Sequence, residues 1–227
     1  MKYKSPLISQ GSGSVAGCVF SHNRFGAYIR NRTVPVNPGS IAQTDIRTHF
    51  SNAATQWKMT LDDMQRQSWN EYAAAVPKID PLGDTIFLTG FNWYVAVNSL
   101  RGFLGMTPLE QGPVTYNQTV LSMVSFTADA TADEFSVTFN NADEWAIAVG
   151  GRLVLFIGGP TNFTRFFFKG PFSFIGTVSG AVVPPTSPAV VPFDGIAADV
   201  KYWLRAIALS VDGRLSVPQI SMAIGAP

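Results

Sequence analysis

Residues 200–218, VKYWLRAIALSVDGRLSVP, decide the fold of the C-terminal half of this 227-residue chain. The first ten contain the β-branched and aromatic side chains that favour strands. Asp212-Gly213 follows them and is a strong hairpin signal. The segment therefore predicts two antiparallel strands, Val200–Ser210 and Arg214–Ile224, joined by a tight turn.

Short apolar runs separated by turn residues predict further strands upstream of this hairpin. The five predicted strands are Leu121–Asp129, Phe135–Asn140, Arg152–Gly158, Arg165–Lys169 and Phe172–Ser179. Seven strands within about 110 residues are typical of an immunoglobulin-like antiparallel β-sandwich. We therefore expect such a domain over residues 113–227.

Residues 40–112 have a helical rather than a strand periodicity. Three helix starts are predicted, at the capping pairs Ser40 with Gln43 and Thr60 with Asp63, and at Thr89. Gly105 is a C-terminal stop for the third helix. That helix is apolar almost all round, so we expect it to be buried on several sides, by its own domain or by a neighbour.

Residues 1–39 are rich in Gly, Ser, Asn and Pro and lack helical periodicity. Pro35 and Pro38 disfavour helix in the residues before them, so the segment is predicted to be an extended arm with a strand or two. It contains too few apolar residues for a core of its own. The fold class is therefore predicted to be multidomain α+β: an arm (1–39), a helical domain (40–112) and a β-sandwich (113–227).

The composition suits a protein whose surface is covered by partners. Hydrophobic residues make up 46% of the chain and charged residues only 14%, whereas about a quarter of a soluble domain is usually charged. Residues 1–58 hold seven basic residues and one acid, and residues 113–227 hold six basic and eight acidic residues. A basic arm of this kind is expected to meet an acidic protein surface or nucleic acid.

The penultimate predicted strand resembles a known family. Tyr202-Trp203-Leu204-Arg205-Ala206-Ile207-Ala208, followed by Gly213, Ser216 and Pro218, is similar to the last two strands of fibronectin type III domains. The resemblance implies that Tyr202 begins the strand. It also implies that Leu204, Ala206 and Ala208 point into the core.

A second resemblance covers residues 11 to about 101 and is carried by a Gly-rich start and a series of spaced residues. The series is Arg30, Arg32, Pro35-Val36-Asn37-Pro38, Gln43, Arg47, Phe50, Trp57, Leu61, Gln65-Arg66, Trp69, Tyr72, Gly90, Asn92 and Asn98-Ser99-Leu100-Arg101. It looks like small structural proteins encoded by tailed bacteriophages, in which such a helical unit can precede a β-sandwich. The resemblance implies a non-enzymatic component of a capsid or tail.

No residue pattern indicates catalysis. Gly11 to Gly17 is glycine-rich, but a phosphate-binding loop needs a strand before it and a helix after it. Cys18, His22 and His49 have no zinc-ligand spacing, and nothing in the sequence orients either histidine toward the thiol. The acid pairs Asp62-Asp63 and Asp143-Glu144 are explained by a helix start and a turn. We expect no enzyme activity, cofactor or metal.

Two groups of residues and one tryptophan are predicted to contact proteins. The arm supplies Phe20, Arg24, Phe25, Tyr28, Arg30 and Arg32, for which we favour a protein partner over nucleic acid. Phe166, Phe167 and Phe168 cannot all face one core, because neighbouring strand residues point to opposite sides. At least one is expected to project outward, or else to pack under a loop. Trp93 of the third helix is the remaining predicted contact.

We expect a virion protein assembled in the host cytoplasm, with no membrane span and no signal peptide. Its partners are capsid or tail subunits and further copies of itself, and its first predicted role is capsid decoration or cementing. A tail or baseplate component is the close alternative. A carbohydrate- or receptor-binding module is another, for which Trp145 is the candidate exposed loop aromatic.

Overall fold

The structure is a computed structural model that describes residues 11–23, 26–34, 36–37, 39–79, 84–122 and 124–226. The chain contains both α-helices and β-sheets, as predicted. It divides into two compact units, Met1–Gln43 and Thr44–Pro227. Whether residues 44–227 comprise a helical domain and a separate β-sandwich domain stays a prediction.

The arm contains a small antiparallel sheet. Its strands are β1 (Gly13–Val15), β2 (Cys18–Asn23) and β3 (Gly26–Asn31), in the order β1-β2-β3. Ala16, with φ of 50°, lies in the turn between the first two strands. The glycine-rich stretch that begins at Gly11 therefore leads through a hairpin and not into a helix, which is the arrangement expected of an arm.

Three long helices follow where the sequence predicts them. They are α1 (Ile41–Met59), α2 (Asp63–Ala75) and α3 (Gly90–Phe103), with β4 (Lys78–Ile79) paired to β5 (Thr85–Ile86) between the last two. Thr89 caps α3 as predicted, since its hydroxyl accepts from the Asn92 amide. The predicted cap of α2 at Thr60 is wrong. Asp62 is the cap, and it exchanges reciprocal hydrogen bonds with Gln65.

The second half of the chain forms a seven-stranded sheet. Its strands are β6 (Ser125–Asp129), β7 (Glu134–Thr138), β8 (Arg152–Asn162), β9 (Ser173–Ser179), β10 (Ala189–Pro192), β11 (Val200–Leu209) and β12 (Gln219–Ala226). The strand order is β10-β7-β6-β12-β11-β8-β9. All neighbours are antiparallel except β12 and β6, which are parallel. A short helix, α4 (Glu144–Ile147), lies between β7 and β8.

The sheet folds over its own core. Phe135 of β7 contacts Tyr202 of β11, at 5.4 Å between ring centroids, although two strands separate them in the sheet. The Tyr202 hydroxyl accepts a hydrogen bond from the backbone amide of Ala197 at 2.9 Å. Leu204, Ala206 and Ala208 are buried, as the resemblance implied.

Within the described residues, one predicted strand is absent, one observed strand is not predicted, and one strand begins later than predicted. Arg165–Lys169 is not a strand but part of an irregular loop between β8 and β9. Strand β10 is not predicted by the sequence, because it lies among prolines that weaken a strand pattern. In addition, β12 begins at Gln219 and not at Arg214, since the turn after β11 is longer than a two-residue hairpin.

The turn after β11 joins the sheet to the helices. Gly213 lies there with φ of 93°, and a Cβ at this position would approach Leu109 Cδ1 to 2.8 Å and Val97 Cγ1 to 3.2 Å. Leu209, at the end of β11, belongs to the core formed by α2 and α3. The helices and the sheet of residues 44–227 are therefore packed against each other at this turn.

Arg214, in the same turn, stabilises the junction between sheet and helices through charged hydrogen bonds. Its buried guanidinium donates to Asp212 at 2.7 Å, to Asn117 at 2.6 Å and to Glu144. Burial lowers the pKa of Arg214, but the hydrogen bond and charge of Asp212 and the charge of Glu144 outweigh it, so the net pKa is raised. The cation therefore stays charged at this junction.

Candidate interaction surfaces

The predicted contact residues of the arm lie on both faces of its sheet. Phe20 faces Ile29 across β2 and β3, whereas Tyr28 pairs with Ser21 and Arg30 with Val19. Since neighbouring residues of a strand point to opposite faces, Phe20 lies on one face and Tyr28 and Arg30 lie on the other. The arm thus offers two surfaces.

The remaining arm residues are placed only in part. Arg32 follows β3 and is exposed, and its backbone amide donates to the carbonyl of Gly17 at 2.8 Å. Arg24 and Phe25 lie outside the described residues. Cys18 and His22 lie on the same face of β2, four residues apart, which on an extended strand separates them by roughly 13 Å.

No residue of the arm is buried, as far as its burial is described. This holds for residues 11–22, 27–34, 36–37 and 39–40. Phe20, Tyr28 and Ile29 are half-buried and Arg30 is exposed. Among its described residues, the arm sheet therefore has side chains suited to contact on both faces and none that is fully buried.

The loop between β8 and β9 separates the three consecutive phenylalanines. Phe166 is 89% exposed and Phe167 is 64% exposed, so both project outward as interaction residues would. Phe168 is only 9% exposed, and its predicted role as a contact residue is wrong. Its ring stacks on Trp203 at 6.1 Å and fills the space over Gly158.

Two cations hold this loop in place. Lys201, on β11, is buried, and its ammonium donates to the carbonyl of Arg165 at 2.7 Å while lying 5.6 Å from the Phe166 ring. The Arg165 guanidinium donates to the carbonyl of Phe167 and lies 5.2 Å from the Phe168 ring. The outward phenylalanines are therefore presented by an ordered loop, which lowers the entropy cost of binding.

Trp93 is not a surface residue. It is 3% exposed and packs in the helical core, with its ring 5.4 Å from that of Tyr72. Trp145 is also fully buried, against Phe139 at 5.2 Å, so the expectation of an exposed loop aromatic at this position is wrong. For Trp93 the apolar helix around it predicts burial but not whether its own domain or a neighbour covers it, and for Trp145 the surrounding sequence is typical of a turn.

The sequence does not reveal a third apolar surface, on the first half of α1. Ile46 and Phe50 lie at helical spacing with Ala53, a pattern typical of a buried helix face, but both are more than half exposed. With Leu100, Phe103 and Phe156 they line an apolar groove of about 180 Å³. Phe174 extends this surface, since its ring lies 5.0 Å from Phe103. Among the residues of α1, Ala53 alone is buried, and it marks the face of the helix that packs against the core.

Metal clusters and membrane-spanning helices are both absent from the described part of the chain. Among those residues, no three His, Cys, Asp or Glu side chains are grouped so that they could hold a metal ion. Over the same residues, no helix has the length and apolar character needed to cross a membrane.

No protein-family model matches the chain, and no curated protein matches it. Among solved structures, it is similar to a family 76 glycoside hydrolase from a bovine Bacteroides thetaiotaomicron strain, with 10% identity, a TM-score of 0.34, and coverage of 46% of this chain and 20% of that one. It is also similar to a Fn3-like protein from Clostridium thermocellum, with 15% identity, a TM-score of 0.32, and coverage of 48% of this chain and 95% of that one. The chain thus spans about a fifth of the hydrolase.

Proposed function

We propose that this chain is a non-enzymatic structural protein of a tailed-bacteriophage virion. In this proposal it is a capsid-associated decoration or cement protein whose arm and helices dock on neighbouring subunits. One observation carries the proposal: the arm forms a three-stranded sheet in which no residue of described burial is buried.

Such a sheet needs a partner for stability. Ordering each residue costs about 1–2 kcal/mol of backbone entropy, and small sheets offset this cost by burying an apolar face. No described residue of the arm is fully buried, and Phe20 and Ile29 on one face and Tyr28 on the other are half-buried, so a partner can bury them further. A neighbouring protein subunit that covers these faces supplies the missing burial.

Charge favours a protein partner with acidic groups. Residues 1–58 carry seven basic residues against one acid, and Arg30 and Arg32 are exposed. The arginine fork binds carboxylates in two parallel hydrogen bonds, and arginine is enriched at protein interfaces. Nucleic acid is the second partner considered. The near-neutral charge of the whole chain, +1, disfavours it, because phosphate binding depends on basic residues.

We further propose that residues 113–227 are an immunoglobulin-like sandwich of the fibronectin type III kind. The strand order, the parallel pairing of β6 with β12 and the hydrogen bond from the Ala197 amide to Tyr202 support this assignment. In such a domain the exposed loop with Phe166 and Phe167 is a second contact surface, to a capsid neighbour or to another copy of the chain.

Truncation tests the docking role of the arm. A chain lacking residues 1–39 is expected to keep the melting temperature of the remaining body but to be lost from purified particles of the phage that encodes it. The matched control is the full chain with Val182→Ser and Val183→Ser, which alters an exposed surface outside every proposed contact and is expected to be incorporated normally. Phe166→Ser combined with Phe167→Ser, the double serine variant, tests the second proposed contact surface separately. Normal incorporation of the truncated chain would refute a docking role for the arm.

Two alternatives are decided by where the chain lies. Cryo-electron microscopy of the intact particle gives its position and copy number: many copies on the shell support decoration, and a few copies at the tail support a tail or baseplate component. Carbohydrate or receptor recognition is a further alternative, favoured by the exposed rings of Phe166 and Phe167. Glycan-array binding that is lost in the double serine variant would support it.

A further inference from the structure

A second cavity, of about 380 Å³, lies within residues 44–227, between α3 and the sheet. This volume is within the usual range for small-molecule sites. Its walls are mainly apolar and come from β4 and the residue before it, the loop before α3, α3, β11 and the segment after Arg214. The apolar lining residues used below are Leu88, Ala96, Ile207, Leu215 and Val217.

Among the described residues, the charged groups that line this cavity are both positive. Arg205 of β11 and Lys78 of β4 line it, and no described lining residue is acidic. The Arg205 side chain is half-buried, with its guanidinium 6.0 Å from the Phe172 ring. Within the part of the chain that the structure describes, Arg205 has no ion pair and no side-chain hydrogen bond. Its donors are therefore available to an anion.

Trp93 provides an independent observation. It lines the cavity and is 3% exposed, yet its indole Nε1–H has no hydrogen-bond acceptor among the described residues. A buried donor without an acceptor costs about 1–3 kcal/mol, so native structures rarely leave one without a reason. An acceptor atom brought into the cavity by a ligand would remove this cost.

From these observations we infer that the cavity binds a small amphipathic carboxylate, with an apolar chain and one negative charge. The apolar chain packs against Leu88, Ile207 and Leu215. The carboxylate supplies acceptors for the donors of Arg205 and Trp93. A volume of about 380 Å³ suits a small molecule better than a peptide segment. This inference does not depend on the proposed virion role.

The first test uses sodium decanoate, below its micelle concentration, and the ¹⁵N-labelled full-length protein. The indole Nε1–H resonance of Trp93, assigned with Trp93→Phe, is expected to shift on titration. Trp145 is an internal control, because its Nε1 is also buried without an acceptor but does not line the cavity. 1-Decanol has a chain of the same length without the charge, and it is expected to bind at least about 10-fold more weakly, as the loss of a charge-assisted hydrogen bond implies.

Two variants test the placement of the ligand. Arg205→Gln is expected to weaken decanoate binding by at least about 10-fold while Arg152→Gln, at the start of β8, leaves it unchanged. Ala96→Phe fills the cavity and is expected to abolish decanoate binding. Ala74→Phe, at an exposed position on α2, is expected to leave decanoate binding unchanged. The inference is overturned if the Trp93 resonance does not move, or if decanol binds the wild-type protein as tightly as decanoate. Binding in this cavity of a peptide that carries no carboxylate, seen as a shift of the Trp93 resonance, would also overturn it.

Discussion

At the residue scale, Gly213 shows why the sheet and the helices share one junction. Its φ of 93° is a conformation that residues with a Cβ rarely adopt. A Cβ there would also press on Leu109 and Val97 in the helical core. Only glycine lets the turn after β11 approach that core so closely.

Substitution separates these two effects. Gly213→Ala is expected to lower the free energy of unfolding by about 2–4 kcal/mol, from backbone strain and crowding together. Gly195→Ala is the matched control: Gly195 has φ of 82°, but no atom lies within 4 Å of the position that an alanine Cβ would take, so only strain applies. Urea denaturation measures both. Equal losses in the two variants would mean that the contact with the helical core does not matter.

Tyr72 makes stability depend on alkaline pH. Burial, followed by the charge of Asp212 and opposed by Arg214, raises the pKa of its phenol from 10.0 to about 12. The unfolded state therefore ionises first, so this contribution to stability is complete below pH 10 and is lost as the pH rises toward 12. We expect the melting temperature to fall over this range, and to fall less steeply in Tyr72→Phe. If the melting temperatures of the wild type and of Tyr72→Phe fell equally with pH, the raised pKa of Tyr72 would not be the cause.

Single aromatic residues are where the sequence is least informative. The sequence makes Trp145 and Phe168 candidates for exposed positions and Trp93 a candidate for contact with a neighbouring protein, and all three are buried within the chain. Burial of an isolated aromatic depends on which distant segments cover it. Phe168, for example, is covered through its stacking on Trp203, 35 positions later in the chain. Local pattern does not contain that information.

At the element scale, the loop between β8 and β9 shows the same limit. Its run of apolar residues is typical of a strand, but the buried Lys201 and the turn at Asn162 hold it in an irregular path. Helix ends are more predictable, because their signals are local. Thr89 caps α3 as predicted, and the error at α2 is two residues, from Thr60 to Asp62.

The loop gives a prediction that contrasts neighbouring residues. Phe168→Ala is expected to lower the free energy of unfolding by about 3 kcal/mol, because it leaves a cavity over Gly158. Phe166→Ala, at an exposed position, is expected to change it by less than about 0.5 kcal/mol. Chemical denaturation of both variants gives the comparison. A large loss in Phe166→Ala would show that this ring supports the fold instead of being free for a partner.

At the scale of the whole molecule, the low charge and the coreless arm have the same consequence. Only 14% of residues are charged, and apolar side chains are exposed on α1, in the loop with Phe166 and on the arm. Contiguous exposed apolar surface usually marks an interaction site. The composition suggests a surface covered by partners, and the structure adds where such contacts can form.

Packing between distant parts of the chain is also what limits prediction from sequence. The helices and most strands of residues 44–227 follow local periodicity and capping signals, so they could be predicted. The exposure of Ile46 and Phe50 could not, because the apolar stripe of α1 is typical of a buried helix face. Which part of a stripe is covered depends on the packing of α3 and the sheet, and these lie far along the chain.

The proposed role depends above all on an arm sheet that becomes stable only when a partner covers it. Amide hydrogen exchange can be measured by mass spectrometry on residues 11–31, both in the isolated protein and in assembled particles. We expect little protection in the isolated protein and at least about 10-fold slower exchange in the particle, with both strands β2 and β3 protected. Equal protection in the two states, whether strong or absent, would contradict this role.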